Sequence, residues 1–303
     1  MRMILVHGIN QEGKSEEKIL AEWMPVLRKH FAGAVDDPLE RLSRIGAVFY
    51  GDRLAELAEK PARAVAVAQG IDDGSDDFDL FAKDALAEMG IKLGATAEEY
   101  ALEMDEVAVA QGAGVHKKWL KAVARVIQRI SPLKGKVALR VLAQAHAYIR
   151  NKNTALEVDK LVRPHFEDDG PAIIVSHSLG TIVSYKLLRT FAKEGRPRRC
   201  PLFVTLGSPL GIDVVRKGFP LPRNRPADVA RWINGADPED FVALRPALTA
   251  DNFGPGVDRN ISDIENGYDD PHCIAGYLAD KRIADEIRKA ILARKRLAVA
   301  GRE

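Results

Sequence analysis

Short apolar runs alternate with amphipathic stretches at the start of the chain and again through its second half. Met3 to Val6 is a compact apolar run of the kind a buried strand makes, and it stops at His7-Gly8-Ile9-Asn10-Gln11-Glu12-Gly13. From Ser15 to Phe31, Ile19, Leu20, Trp23, Val26, Leu27 and Phe31 recur at helical spacing behind a polar start at Ser15, Glu17 and Lys18. Pro25 inside that stretch predicts a kink or a break. Ile45 to Tyr50 reads as a second strand, ending at Gly51-Asp52. Strand, loop, helix, strand predicts a parallel α/β sheet.

The pattern then changes. From Arg53 to about Arg150 strand signals vanish, and helical segments are expected near 54–69, 78–89, 97–111, 115–130 and 137–149, with a loop over 70–77. The stretch reads as a helical insertion (about 53–150) lying over one edge of the sheet. Its charge is split. Residues 72–106 are dominated by acids, while 117–140 carry only bases, from Lys117, Lys118 and Lys121 to Arg140. The 115–130 segment sets an apolar stripe (Val115, Trp119, Val123, Ile127) opposite its basic face. An interfacial helix attracted to anionic lipid has that layout. A helix packing its stripe on the core has it too, and that reading is favoured because amphipathic helices of soluble proteins face a core.

Beyond 150 the alternation resumes. A helix is expected over 154–166, and Gly170-Pro171 leads into the apolar, β-branched run Ala172-Ile173-Ile174-Val175. The small-polar turn Ser176-His177-Ser178-Leu179-Gly180 follows, and then a helical pattern (Ile182, Val183, Tyr185, Leu187, Leu188). Pro201–Leu206 and Val229–Asn234 read as further strands, the first ending in Gly207-Ser208-Pro209 and the second in Gly235-Ala236-Asp237-Pro238-Glu239-Asp240. One last helix is expected from Ile274 to about Leu297.

Composition narrows the classes. At 303 residues the chain is long enough for one α/β domain carrying an insert, and 46% apolar content is that of a folded protein. A net charge of +2 gives no reason to expect a nucleic-acid partner. Two cysteines, Cys200 and Cys273, make no disulfide framework, and no Cys/His cluster has metal-ligand spacing, so neither metal nor cofactor is expected. The opening apolar run is too short for a signal peptide, and no segment reaches membrane-spanning length, so a cytoplasmic protein is expected.

Strand, sharp turn and helix around Ser178 are what a nucleophile elbow requires. The turn lifts one hydroxyl clear of the sheet, and Gly180 lets the helix pass close to the strand. Ser176 stands where such elbows carry a first glycine. A serine hydroxyl needs a base and an acid to orient that base. His7 lies in the first loop, His177 is the elbow's own neighbour, and His30, His116, His146 and His165 fall in or beside helices before the elbow. His272 alone follows the acid candidates, in a loop before a helix. For the acid, Asp240 is preferred because Phe241 and Val242 follow it, with Asp237 the alternative, nearer the strand end but followed by proline. The N–H groups of Ile9 and Leu179 are the candidate oxyanion donors. One rival remains for the first loop: Gly8 to Ser15 fits G-x-x-x-x-G-K-[ST], a phosphate-binding pattern, though no acidic strand end stands out as its partner.

Val-His-Gly-Ile at 6–9, Ser-His-Ser-Leu-Gly at 176–180, Thr-Leu-Gly-Ser-Pro-Leu-Gly at 205–211, Trp-Ile-Asn with Asp-Pro-Glu-Asp at 232–240, and His272 before Tyr277-Leu278 resemble the α/β-hydrolase superfamily, closest to its lipase- and esterase-like members. The resemblance covers about 1–52 and 150–303 and leaves out the insert. It implies an α/β-hydrolase fold with an eight-stranded, mostly parallel sheet, here shortened, with helices on both faces. It also implies hydrolysis of a carboxylic ester, an acyl lipid among the candidates, through an acyl-enzyme. In that scheme Ser178 attacks, His272 is general base then acid, Asp240 orients it, and Ile9 and Leu179 hold the oxyanion. The same triad serves a thioesterase, an amidase or an acyltransferase, and a non-catalytic binding module is the alternative from another class.

Overall fold

The computed structural model describes residues 1–9, 11–32, 36–58, 76–92, 94, 96, 98, 132–168 and 170–300. Six strands, β1 (Arg2–Val6), β2 (Arg44–Val48), β3 (Ala172–His177), β4 (Phe203–Leu206), β5 (Trp232–Gly235) and β6 (Arg259–Ile261), form one open sheet in the order β2-β1-β3-β4-β5-β6. Every pairing is parallel. The described helices are α1 (Glu16–Lys29), α2 (51–58), α3 (Asp76–Lys92), α4 (Pro132–Arg150), α5 (Lys152–Glu167), α6 (Leu179–Lys193), α7 (Asp213–Lys217), α8 (Ile274–Ala279) and α9 (Lys281–Ala300).

Alternation along the strands divides the core into two layers, because successive side chains point to opposite faces. Ile4, Val6, Val48, Ile174, Phe203 and Trp232 pack one way, under α3 to α6. Met3, Leu5, Ala47, Ile173, Val175 and Ile233 pack the other way, under α1, α8 and α9. A sheet covered on both faces explains why β1 and β3 read as unbroken apolar runs: every residue of both is buried. After β1 the chain moves outward to β2, then returns to lay β3 on the other side of β1. The loops leaving β1 and β3 therefore diverge, and a crevice at the carboxyl ends of such a pair is where open α/β sheets place their ligands.

Several expectations are corrected. The last helix is broken in two at Asp280, whose backbone is extended and whose Oδ1 accepts from the N–H of Arg282, capping α9. Pro25 lies within an uninterrupted α1. β5 begins at Trp232, with Val229 joined to Cys200 only by an isolated bridge. β6 was not expected: Arg-Asn-Ile is too short and polar to signal a strand. The sheet has six strands among the described residues. Of the insert, α3 and α4 are described, and both pack in the same core layer as the loops at the sheet's carboxyl rim. The expected helix at 115–130 with its basic stripe lies outside the described residues, as do the helix at 97–111 apart from residue 98, the part of the expected 54–69 helix beyond 58, and most of the expected loop over 70–77. Among the described residues no helix is long and apolar enough to cross a membrane.

Candidate active site

β3 delivers Ser178 through a turn that only close packing sustains. Ser178 has φ 51° and ψ −128°, a region that residues with a Cβ rarely occupy. Its N–H donates to the carbonyl of Leu206 on β4 at 2.9 Å, and its carbonyl accepts from Thr181 Oγ1 at 2.7 Å. The turn demands glycine on both flanks. A Cβ at Gly180 would sit 2.4 Å from the carbonyl oxygens of Val6 and His7, and one at Gly8 would sit 2.5 Å from the Ser178 Cβ. Ser176, in the place of the usual first glycine, turns its hydroxyl to the Val204 carbonyl at 2.9 Å and leaves nothing unsatisfied.

His272, in the loop before α8, places Nε2 2.8 Å from Ser178 Oγ and Nδ1 2.7 Å from Asp240 Oδ2. Three side chains far apart in the chain thus form one continuous hydrogen-bonded line. All three are buried. Asp240 Oδ2 also accepts from the Tyr277 hydroxyl at 2.5 Å, and Oδ1 accepts from the N–H groups of Val242 at 2.8 Å and Ala243 at 3.3 Å. Burial pushes the Asp240 carboxyl up, but the His272 charge and these hydrogen bonds outweigh it and its pKa is lowered. Burial likewise pushes His272 down, and the Asp240 carboxylate overrides it, so its pKa is raised above 6.5. The pair is poised to hold an imidazolium.

Of the two acids weighed, the structure brings only Asp240 to His272. Asp237 faces away: Oδ1 accepts from the Glu239 N–H at 2.7 Å and Oδ2 from the Asn266 N–H at 2.8 Å. It closes a turn that Pro238 helps shape. Gly207, with φ 54°, passes so near the dyad that a Cβ would lie 2.9 Å from Asp240 Oδ2 and 3.1 Å from the His272 ring. The Gly-Ser-Pro turn is therefore the wall behind the acid, and Ser208 pins it to α6 through Thr181 Oγ1 at 2.7 Å.

Ile9 and Leu179 flank Ser178 on its β1 and α6 sides, and neither N–H finds a partner among the described residues. His7 holds the β1 loop in place. Its Nδ1–H donates to the Gly8 carbonyl at 2.6 Å, Nε2 accepts the Tyr50 N–H at 3.1 Å, and the Tyr50 hydroxyl donates to the His7 carbonyl. Burial lowers its pKa to about 4, which keeps the ring neutral near pH 7. His177 donates from Nε2 to the His272 carbonyl at 2.9 Å, and its ring stacks obliquely on that of His272 at 4.6 Å. Burial lowers its pKa well below 6.5, so it supports the base and does not compete with it.

The phosphate-loop rival meets a different arrangement. The Gly13 N–H is taken by Asp52 Oδ1 at 2.7 Å, the Lys14 N–H by the Gln11 carbonyl at 3.1 Å, and Lys14 Nζ by Glu22 at 2.6 Å. Donors that would cradle a phosphate are bound within the loop and to its neighbours. Among the described residues no group of three His, Cys, Asp or Glu side chains is arranged to hold a metal ion. Cys200 is a free thiol inside the core, pushed up to about 12 by burial, which makes it inert.

Sequence reasoning missed Tyr277 and Asn234 as parts of this site. Tyr277 lies on α8 among apolar neighbours and looks like an ordinary core aromatic. Asn234, buried on β5, donates from Nδ2 to the Pro246 carbonyl at 2.9 Å, bracing the segment that follows Asp240. A buried amide at a strand end was the available signal, since such groups are kept where they find partners. Comparison of the chain with protein-family models, with curated proteins and with solved structures finds no match in any of the three.

Proposed function

We propose that the protein is a serine hydrolase of the α/β-hydrolase type, cleaving a carboxylic ester through an acyl-enzyme. One observation carries the reading: Ser178 Oγ, the His272 ring and the buried Asp240 carboxylate stand in hydrogen-bonded sequence at the carboxyl rim of a parallel sheet. The strained backbone at Ser178 supports it, because such strain persists where a function needs the side chain raised.

In this mechanism His272 Nε2 takes the Ser178 proton as Oγ adds to the ester carbonyl carbon. The carbonyl oxygen becomes an oxyanion held by the N–H groups of Ile9 and Leu179. The imidazolium, stabilised by Asp240, returns its proton to the departing alkoxide as the C–O bond breaks, leaving Ser178 acylated and an alcohol free. Water then repeats the sequence: His272 takes its proton, hydroxide adds, and Ser178 leaves with the proton returned. Ser178 itself is fully buried. A thioester or an amide is open to the same chemistry, and a panel of acyl compounds of graded chain length ranks them.

The test is covalent labelling by a fluorophosphonate. Wild type becomes labelled and Ser178→Ala does not, while both melt alike. A folded wild type that resists labelling and hydrolyses none of the panel overturns the proposal.

A further inference from the structure

The segment that carries the acid is irregular. Residues 241–247 form successive bends with no helical or sheet ladder, so the position of Asp240 depends on individual side-chain contacts. From within, Asp240 Oδ1 gathers the N–H groups of Val242 and Ala243 into a tight turn. From β5, Asn234 holds the Pro246 carbonyl. From the insert, Lys92 at the end of α3 donates from Nζ to the Asp240 carbonyl at 2.6 Å and, more weakly, to that of Ala243 at 3.4 Å. The turn is thus gripped at both poles: its N–H groups by the triad acid's own carboxylate, its carbonyls by an ammonium from another part of the chain.

We propose that Lys92 is a positioning residue for the triad, fixing Asp240 against His272 by clamping the two carbonyls of the acid turn. The inference rests on the serine-hydrolase reading for its kinetic consequence and on the geometry alone for its structural one. Both Asp240 and Ala243 are buried, so water is a poor substitute for the ammonium at those carbonyls. Without it the turn relaxes, and the 2.7 Å contact from Asp240 Oδ2 to His272 Nδ1 lengthens. Small misplacements of this kind cost up to about 10²-fold in rate. The same helix makes a second grip on the rim: Glu88, one turn before Lys92, accepts the Asp213 N–H at 3.1 Å. On the far side of the site, α4 holds the β1 loop through Arg140 and Gln144, both bonded to Glu12 Oε1 at 2.8 and 3.3 Å. The insert is therefore tied to the loop that carries the acid and to the one that carries Ile9, and Lys92 is the tie that reaches a triad residue.

The experiment compares wild type, Lys92→Met, Lys92→Gln, Lys92→Arg, Asp240→Ala and the Lys92→Met/Asp240→Ala double variant in the full chain. A p-nitrophenyl ester gives kcat, KM and the acid limb of the kcat/KM profile. That limb reports His272, which Asp240, His177 and Asp270 face. Lys92→Met is expected to lower kcat by about 10- to 100-fold, with KM little changed and the limb moved to lower pH. Lys92→Arg, which retains a donor, recovers most of the loss. In the Asp240→Ala background, Lys92→Met adds no further loss. Should Lys92→Met melt near the assay temperature, Lys92→Gln, uncharged and one bond too short to hold both carbonyls, decides the same points. Unchanged kcat and limb in Lys92→Met, or an equal fold-loss in the Asp240→Ala background, overturns the proposal.

A readout independent of turnover separates this proposal from the previous one. The low-field proton resonance of His272 Nδ1, assigned by its loss in Asp240→Ala, reports the contact with Asp240 directly. If wild type neither hydrolyses nor labels, the hydrolase reading falls. A shifted or broadened resonance in Lys92→Met still supports the clamp, and an unchanged one overturns it.

Discussion

The two rims of the sheet differ in a way that shows what a site is made of. At the carboxyl rim Ser178, His272 and Asp240 are buried and hydrogen-bonded in sequence. At the amino rim Arg2 ties its guanidinium to the Phe166 and Asp168 carbonyls and to the Asp168 carboxylate, while Arg44, Arg196 and Arg199 stand exposed. Two cavities of about 220 and 290 Å³ open there, sharing Arg2, Ile4 and Asp168. Open space and exposed charge lie together at the amino rim, and the hydrogen-bonded Ser178–His272–Asp240 line lies at the other. Chemistry needs converging groups in low dielectric, where a hydrogen bond to a developing charge is strongest.

The comparison breaks most sharply at Asp240. Asp240→Asn is expected to lower kcat by about 10⁴-fold, because the amide presents the wrong partner to His272 Nδ1. The sign of the pH effect follows from the raised pKa of His272. In the proposed mechanism the base works only when neutral, so wild-type kcat/KM is expected to fall with pH at a higher pH than an ordinary imidazole would set. Removing the carboxylate removes the main influence that raises it, leaves burial to lower it, and moves the limb to lower pH. His7 and His177 are both lowered by burial and do not supply that limb. Asp237→Asn, three residues away, is expected to cost stability, about 1–3 kcal/mol in a denaturant melt, with the limb in place.

Tyr277→Phe sharpens the comparison. It removes a donor from the triad carboxylate, lowering stability by about 1–3 kcal/mol. The Asp240 charge, then less shared, holds the His272 proton more tightly, so the limb shifts slightly to higher pH. A limb that moves down instead would place Tyr277 outside the relay. The smallest effect belongs to the amino rim. Arg44→Ala is expected to leave the ester kinetics unchanged and the stability within about 0.5 kcal/mol, since its side chain is exposed. A measurable loss of kcat there would mean that the two rims communicate.

The order of the proposed triad was legible in the chain. Ser178 was marked by an apolar strand ending in a small-polar turn, and His272 by elimination among the seven histidines. Asp240 and Asp237 were not separable with certainty by pattern, since both follow β5 within a few residues. Which one turns inward depends on where the N–H groups of Glu239, Asn266, Val242 and Ala243 lie. The break at Asp280 escaped because the apolar face runs on through it, and the cap that divides the helices is a single carboxylate.

What the sequence by itself determined is local: periodicity set which faces are apolar, so strands, helices and a parallel sheet followed, and small residues marked the turn that raises Ser178. Only the tertiary structure decided convergence. The Asp240 turn owes its position to Lys92, Asn234 and Tyr277, separated from it in the chain by 148, 6 and 37 residues. Hydrogen bonds act over about 3 Å and carry no periodicity along the chain. A contact between residues distant in sequence therefore leaves no mark until the sheet brings them together.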